Sequence, residues 1–180
     1  MELILVRHPQ PDVASGICYG RSDVPASPAA VTAVADKLKN AGLPGSLPVY
    51  ASPLTRCADL AAQMNAHVTF DARLAEMDFG AWEMRPWDDI PRLEVDAWSA
   101  DLLHYRPGGG ENVMDVARRV ASFFDELRAA EHARALLICH AGSIRLLAAL
   151  HAGGSIEEAA LRAASAAHRI DYGGIVVLKG

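Results

Sequence analysis

Cysteine is scarce in this chain: Cys18, Cys57 and Cys139 stand far apart, with no C-x-x-C pair and no zinc-type Cys/His spacing. An odd, scattered set argues against a disulfide framework and points to a reduced, cytoplasmic setting. No apolar run approaches the roughly 18 residues that a membrane span needs. Met1 leads straight into an apolar strand without a basic region or a small-residue cleavage signal, so neither membrane insertion nor secretion is expected. A basic block is also missing: the net charge is -5 with both signs interspersed, which removes the electrostatic footprint of a nucleic-acid binder. Neither repeats nor linkers interrupt the 180 residues, so a single domain over residues 1–180 is expected. Nothing in the pattern fixes an oligomeric state.

What is present is a regular alternation of strand and helix signals. Glu2 to Arg7 reads as a short buried strand, followed by a Pro/Gly-punctuated loop through Pro28. Ser27 caps an amphipathic helix opened by Pro28, with Gly42 just past its end. Leu47 to Ala51 forms a second strand, and Ser52-Pro53 repeats the cap-plus-proline signal before a helix to about Asn65. His67 to Phe70 can form a third strand. Residues 73–90 mix acids, aromatics and prolines in neither period and read as loop and short helix over a site.

A helix over 92–105, a loop over 107–110 and a long amphipathic helix from Asn112 to about Ala130 follow. In the last of these Val113, Val116, Val120, Phe123, Phe124 and Leu127 face inward. Residues 134–140 make a strongly apolar strand, 141–150 and Ser155 to about Ala166 two more helices, and 168–180 one or two closing strands. Such alternation predicts a three-layer α/β/α sandwich with a mostly parallel central sheet.

Ligands of open α/β sheets bind outside the carboxyl ends of the strands. After the first strand stand Arg7 and His8, after the second Arg56, after the third Glu76, and after the apolar strand His140. Singly each has an ordinary reading, as a satisfied core histidine or a surface ion pair. Together they suit phosphoryl transfer, in which positioning and charge neutralisation dominate. Arg7 and Arg56 offer rigid forks for phosphate oxygens. Ala141 opens a helix whose free N–H groups favour an anion. His8 becomes the nucleophile, kept neutral by the neighbouring guanidinium charges.

His140 hydrogen-bonds a non-bridging oxygen as charge shifts. Glu76 is the nearest acid for the leaving group, with Glu83, Asp78 and Asp88 as alternatives close in sequence. Trp82, Trp87, Trp98 and Tyr105 read as core packing or as an aromatic wall against a ligand base, the latter role falling to Trp82 and Trp87. Cys57 and Cys139 read as buried packing residues, Asp23 and Arg145 as ion-paired loop anchors, and Glu111 or Asn112 as a loop element with a secondary substrate contact.

On the residues LVRH (5–8), YGRSDVP (19–25), SPLTRC (52–57), LAEMDFGAWE (74–83), GGEN (109–112) and CHAGSIR (139–145), the chain resembles the histidine phosphatase, or phosphoglycerate-mutase-like, superfamily. The resemblance implies that His8 is phosphorylated, that Arg7 and Arg56 bind phosphate, that His140 is the second histidine and that Glu76, rather than its neighbours, is the proton donor. It implies no metal and no cofactor.

Within the superfamily the short length, the CYGRSDVP loop and EMDFGAWE are most similar to the α-ribazole phosphatases. The implied substrate is α-ribazole 5'-phosphate of cobalamin nucleotide-loop assembly, under a lid formed by about residues 76–110. The other readings are a broad-specificity or phosphoprotein phosphatase, a metal-dependent hydrolase built on His8, His140 and Glu76, and a non-catalytic phospholigand module. Two departures stand out: Pro9 replaces the family's glycine after R-H, and Ala14 replaces an expected asparagine. Tyr19 and Arg21 from the next loop are the candidates to supply the lost phosphate donor.

Overall fold

The computed structural model describes residues 1–42, 47–64, 67–167 and 169–180. Among these residues five strands and six helices follow one another as β1 (Glu2–Arg7), α1 (Pro28–Asn40), β2 (Val49–Ala51), α2 (Thr55–Ala62), β3 (Val68–Phe70), α3 (Arg92–Ala100), α4 (Val113–Ala129), β4 (Arg134–Cys139), α5 (Ala141–His151), α6 (Ile156–Ser165) and β5 (Ile175–Leu178). The sheet order is β3-β2-β4-β1-β5. All neighbours run parallel except β5, which closes the edge antiparallel to β1.

Side-chain alternation along the two central strands builds both outer layers. Leu3 and Leu5 of β1, with Ala135, Leu137 and Cys139 of β4, point to one face and pack under α4, α5 and α6. Ile4 and Val6, with Leu136 and Ile138, point to the other and pack under α1 and α2. These strands are buried on both faces, which is why their sequences are continuous apolar runs. The expected three-layer sandwich with a mostly parallel sheet is the observed one.

Boundaries differ where local side chains compete for the backbone. Ser27 caps α1 as expected, its side chain accepting from the Ala30 N–H, but Ser52 does not cap α2. The N-cap is Leu54, and Asp23 from a distant loop accepts from both Thr55 N and Thr55 Oγ1 at 2.7 Å. The helix expected over 92–105 stops at Ala100, because Asp101 turns back to accept from His104 N at 3.0 Å. The segment over 73–90 holds three short 3-10 turns, and only one strand closes the chain. Asn65, the expected end of α2, lies outside the described residues, as does His168.

The topology places a crevice. From β1 the chain leaves toward α1 on one face, and from the adjacent β4 it enters α5 on the other, so the two carboxyl ends diverge around a gap. Among the described residues, no helix is long and apolar enough to cross a membrane.

Candidate active site

Arg7, His8, Arg56 and Glu76 line one cavity of about 550 Å³ at that gap, and His140 is buried against His8 with ring centroids 5.0 Å apart. Backbone ladders set this convergence: His8 N donates to Cys139 O, and Ser52 N donates to Ile138 O, both at 3.0 Å. The three adjacent strand ends are thereby locked in register before any side chain is placed.

Pro9 sets the tautomer of His8. Its carbonyl accepts from His8 Nδ1 at 2.7 Å, and a carbonyl can only accept, so the proton sits on Nδ1 and the Nε2 lone pair is free. Burial lowers the His8 pKa from 6.5 to about 3, against the opposing Pro9 hydrogen bond and with help from the Arg56 and Arg7 charges. His140 is pushed well below its ordinary value by burial first and then by His8 and Arg56. Its Nε2 meets Ser52 Oγ at 2.8 Å, and Ser52 Oγ also accepts from Leu54 N at 3.4 Å. Cys57 Sγ lies 3.6 Å from His140 Nε2, and Nδ1 meets no partner among the described residues.

Arg56 is fully buried and donates to Ser22 O at 2.8 Å and to Gly20 O, while Arg7 donates to Ile170 O at 2.6 Å. Neither meets a carboxylate among the described residues. Five buried side-chain nitrogens have no hydrogen-bond partner there: Arg7 Nε, Arg56 Nε, His140 Nδ1, Trp98 Nε1 and Arg145 Nε. All belong to this site or its outer wall. A cluster of unsatisfied donors without matching acceptors is the signature of an anion site.

Glu76 reaches the first turn of α5, where its carboxylate accepts from Gly142 N at 3.1 Å. Its backbone is held by Arg119 of α4, which donates to Arg73 O, Ala75 O and Glu76 O and is gripped by Glu111 through two 2.9 Å contacts. Glu111 therefore positions this strap rather than a ligand, and Asn112 caps α4 in a capping box. Glu83, one alternative acid, is spent elsewhere: it accepts from Gly20 N, Arg21 N, Ser22 N, Ser22 Oγ and Phe79 N. Burial pushes its carboxyl up, but those donors outweigh burial and hold it below the usual range. Asp78 accepts from Gly80 N at 2.7 Å, and Asp88 is exposed.

The remaining candidates separate. Ala141 and Tyr19 line the cavity, whereas Arg21 points out to Asp78 at 4.0 Å and is absent from the lining. Trp82 is core, 1% exposed and bonded to Glu94, so the ligand-facing wall is Phe79, Trp87 and Trp98, with Trp87 and Trp98 stacked at 6.3 Å. Among the described residues Asp23 and Arg145 form no ion pair: the first bonds Thr55, and the second donates to Ala166 O while lining the cavity. Cys57 and Cys139 are buried, and burial pushes both thiols up, away from reactivity. Ser52, Arg119 and Tyr172 carry no site signal in the sequence, because each meets the site through contacts with residues distant in the chain.

A five-stranded α/β sandwich with this donor cluster at the β1–β4 crevice defines a protein of the phosphoglycerate-mutase-like class. The chain belongs to the histidine phosphatase superfamily, branch 1, which it matches over residues 3–173. The crystal structure of the alpha-ribazole phosphatase from Shigella flexneri is similar over 99% of this chain and 90% of its own, with TM-score 0.84 and 25% identity.

Two curated relatives give closer identities over parts of their length. The adenosylcobalamin/alpha-ribazole phosphatase of Escherichia coli is 35% identical over 80 residues, 42% of this chain and 39% of that protein. The bifunctional protein Rv2228c of Mycobacterium tuberculosis is 32% identical over 168 residues, 86% of this chain and 45% of that protein. The chain thus spans less than half the length of these two relatives.

Proposed function

We propose that this domain is a metal-independent phosphomonoester hydrolase that works through a phosphohistidine, with α-ribazole 5'-phosphate as its substrate. The observation that carries the reading is His8 itself: buried, neutral, its Nδ1–H committed to Pro9 O and its Nε2 free beside two guanidinium groups without carboxylate partners. In the first step Nε2 forms a bond to phosphorus as the phosphorus–oxygen bond to the leaving group breaks, and Glu76 gives its proton to the departing oxygen. The positive charge that develops on the imidazole is met by Pro9 O. In the second step water attacks phosphorus, Glu76 takes its proton, and the phosphorus–nitrogen bond breaks to restore neutral His8. Arg7, Arg56, His140 and the α5 N-terminus hold the phosphoryl oxygens throughout. Divalent cations are disfavoured here by the same two arginines that attract phosphate.

The aromatic leaving group is supported by the cavity's outer half. Phe79, Trp87 and Trp98 give a flat apolar wall, and about 550 Å³ accommodates a nucleoside-sized molecule. Residues 76–110 contribute much of that wall and act as the lid. One observation favours a second reading, a small-molecule phosphatase of broader range. Arg145 also lines the cavity without a carboxylate partner among the described residues, and a cation there suits a leaving group bearing its own negative charge.

Brief reaction with labelled substrate and a denaturing quench is expected to trap acid-labile, alkali-stable phosphate on His8, in excess chelator as well as without it. Label that persists in His8→Ala, or none in the wild type, defeats the mechanism. Turnover of α-ribazole 5'-phosphate, 3-phosphoglycerate, a phosphopeptide and an aryl phosphate then tests the substrate. Preference for the first is expected to be about tenfold or more in kcat/KM, as one well-filled pocket can supply, and equal rates would favour the broader reading.

A further inference from the structure

The turn at Ile170 to Gly174 is fastened to the nucleophile's own backbone. Arg7 N donates to Gly174 O at 3.0 Å, and Gly173 N donates to both Arg7 O and His8 O at 3.1 Å. From outside, Lys37 Nζ donates to Gly173 O at 2.8 Å. Gly173 has φ +63°, and a Cβ there would press on Val34, so the turn takes glycine and holds one shape. Tyr172 rides on this turn at the rim of the site, 38% exposed and outside the cavity lining, so its backbone is tied to those of Arg7 and His8.

Its ring lies over Arg7, with Cζ 3.8 Å from the ring centroid, and 5.6 Å from the His8 ring. Tyr19 faces Arg56 more loosely, with Cζ 5.6 Å from the ring centroid. The two phenol oxygens, 153 residues apart in the chain, meet at 2.7 Å. We infer that Tyr172 is a phosphate-positioning residue that acts through Arg7 and Tyr19: its ring braces the Arg7 guanidinium, and its hydroxyl holds the phenol of Tyr19, which lines the cavity, so that the Tyr19 O–H is presented to the substrate's phosphoryl group.

Two physical points carry this. A ring stacked on the face of a guanidinium leaves its in-plane N–H groups free for phosphate while preventing rotation of the fork. Two hydroxyls bonded to each other use one of their two protons, so one donor remains. Burial and the bond to Tyr172 hold the Tyr19 phenol well above its ordinary value, which keeps that proton in place at neutral pH. Ala14, where an asparagine donor was expected, is exposed and does not line the cavity. Tyr19 does line it and supplies the donor.

The inference rests on the phosphomonoesterase reading of this site. The test uses the full chain with p-nitrophenyl phosphate and an alkyl phosphate, inorganic phosphate as competitive inhibitor, and melting temperature as the control for folding. Tyr172→Phe keeps the stack and is expected to raise the inhibition constant for phosphate about three- to tenfold, the worth of one hydrogen bond. Tyr172→Leu also loses the stack and is expected to raise it at least about tenfold further, with the same fold loss of kcat/KM for both substrates.

A wild-type inhibition constant in a folded Tyr172→Leu protein overturns the inference. Should that variant not fold, an unchanged constant in the double variant Tyr19→Phe/Tyr172→Phe overturns it equally. Loss for the alkyl substrate alone also overturns it, since a defect in holding phosphate cannot depend on the leaving group. Wild-type protein that neither binds phosphate nor hydrolyses either ester would overturn the phosphatase reading as well, and so is distinguishable from the other outcomes.

Discussion

His8 couples catalysis to stability through one buried imidazole. In the folded chain it stays neutral down to about pH 3, while in the unfolded chain it titrates near 6.5. Below pH 6.5 the unfolded state therefore binds more protons, and linkage makes stability fall as pH drops from about 6.5 toward 3. His140 adds to the same slope, since its pKa is also depressed. We expect the melting temperature to decline across this window by an amount corresponding to a few kcal/mol, and His8→Asn to flatten the decline. Thermal unfolding followed from pH 7.5 to 4 checks it, and an unchanged slope in the variant would mean that His8 is not buried neutral. The same value predicts that His8 does not itself cut off activity between pH 7 and 5.

At the scale of elements, the decisive contact is between the first turn of α5 and the strap carrying Glu76. A Cβ on Gly142 would overlap the Glu76 carboxylate, and the Gly142 N–H is one of its two hydrogen-bond donors. Gly142→Ala should therefore displace the proton donor without touching His8. Glu76→Gln is expected to lower kcat for alkyl phosphates by about 10²- to 10⁴-fold, the usual worth of a general acid. It should leave aryl phosphates, whose leaving groups need little protonation, much less affected, and Gly142→Ala should reproduce that pattern in weaker form. Kinetics of both variants on both substrate types test it, and an equal loss on aryl and alkyl esters would assign Glu76 to positioning instead. The element boundaries teach the same lesson: Ser52 looks like a helix cap in sequence, yet its hydroxyl serves His140 while Asp23 caps α2.

At the scale of the molecule, the cavity joins two halves with different chemistry. The inner half is lined by cations from strand ends, and the outer half by Phe79, Trp87, Trp98, Met77 and Leu102, contributed by the 76–110 segment. That segment is pinned to the loop between β1 and α1 by Glu83 and by backbone bonds between Gly16 or Cys18 and residues 84–87. Trp87 is 38% exposed and stacked on Trp98, so its removal leaves the core intact. Trp87→Ala is expected to raise KM for α-ribazole 5'-phosphate by about five- to thirtyfold, the worth of one aromatic stack, with little change in inhibition by inorganic phosphate. A parallel rise in both constants would show that the wall supports the inner pocket and not the leaving group.

The sequence by itself determined the layers and which chemistry-bearing residues reach one sheet edge. Apolar runs such as LILV and ALLIC are long enough only for strands buried on both faces, and the arginines and histidines that end them reach one sheet edge whichever way the helices pack. Arg7, His8 and His140 reach that edge for that reason, and the tertiary structure brings Arg56 and Glu76 to the same place. The structure alone decided how each is held. The tautomer of His8 depends on where Pro9 O points, and His140 is held by Ser52, 88 residues away. Trp82 and Trp87 look alike in sequence, but only packing puts one in the core and the other on the cavity. Tyr172 carries no local signal, since its partners Tyr19 and Arg7 come from the other end of the chain. Periodicity and residue chemistry are local and survive in a string of letters; hydrogen-bond partnership across the sheet edge exists only after the chain has closed on itself.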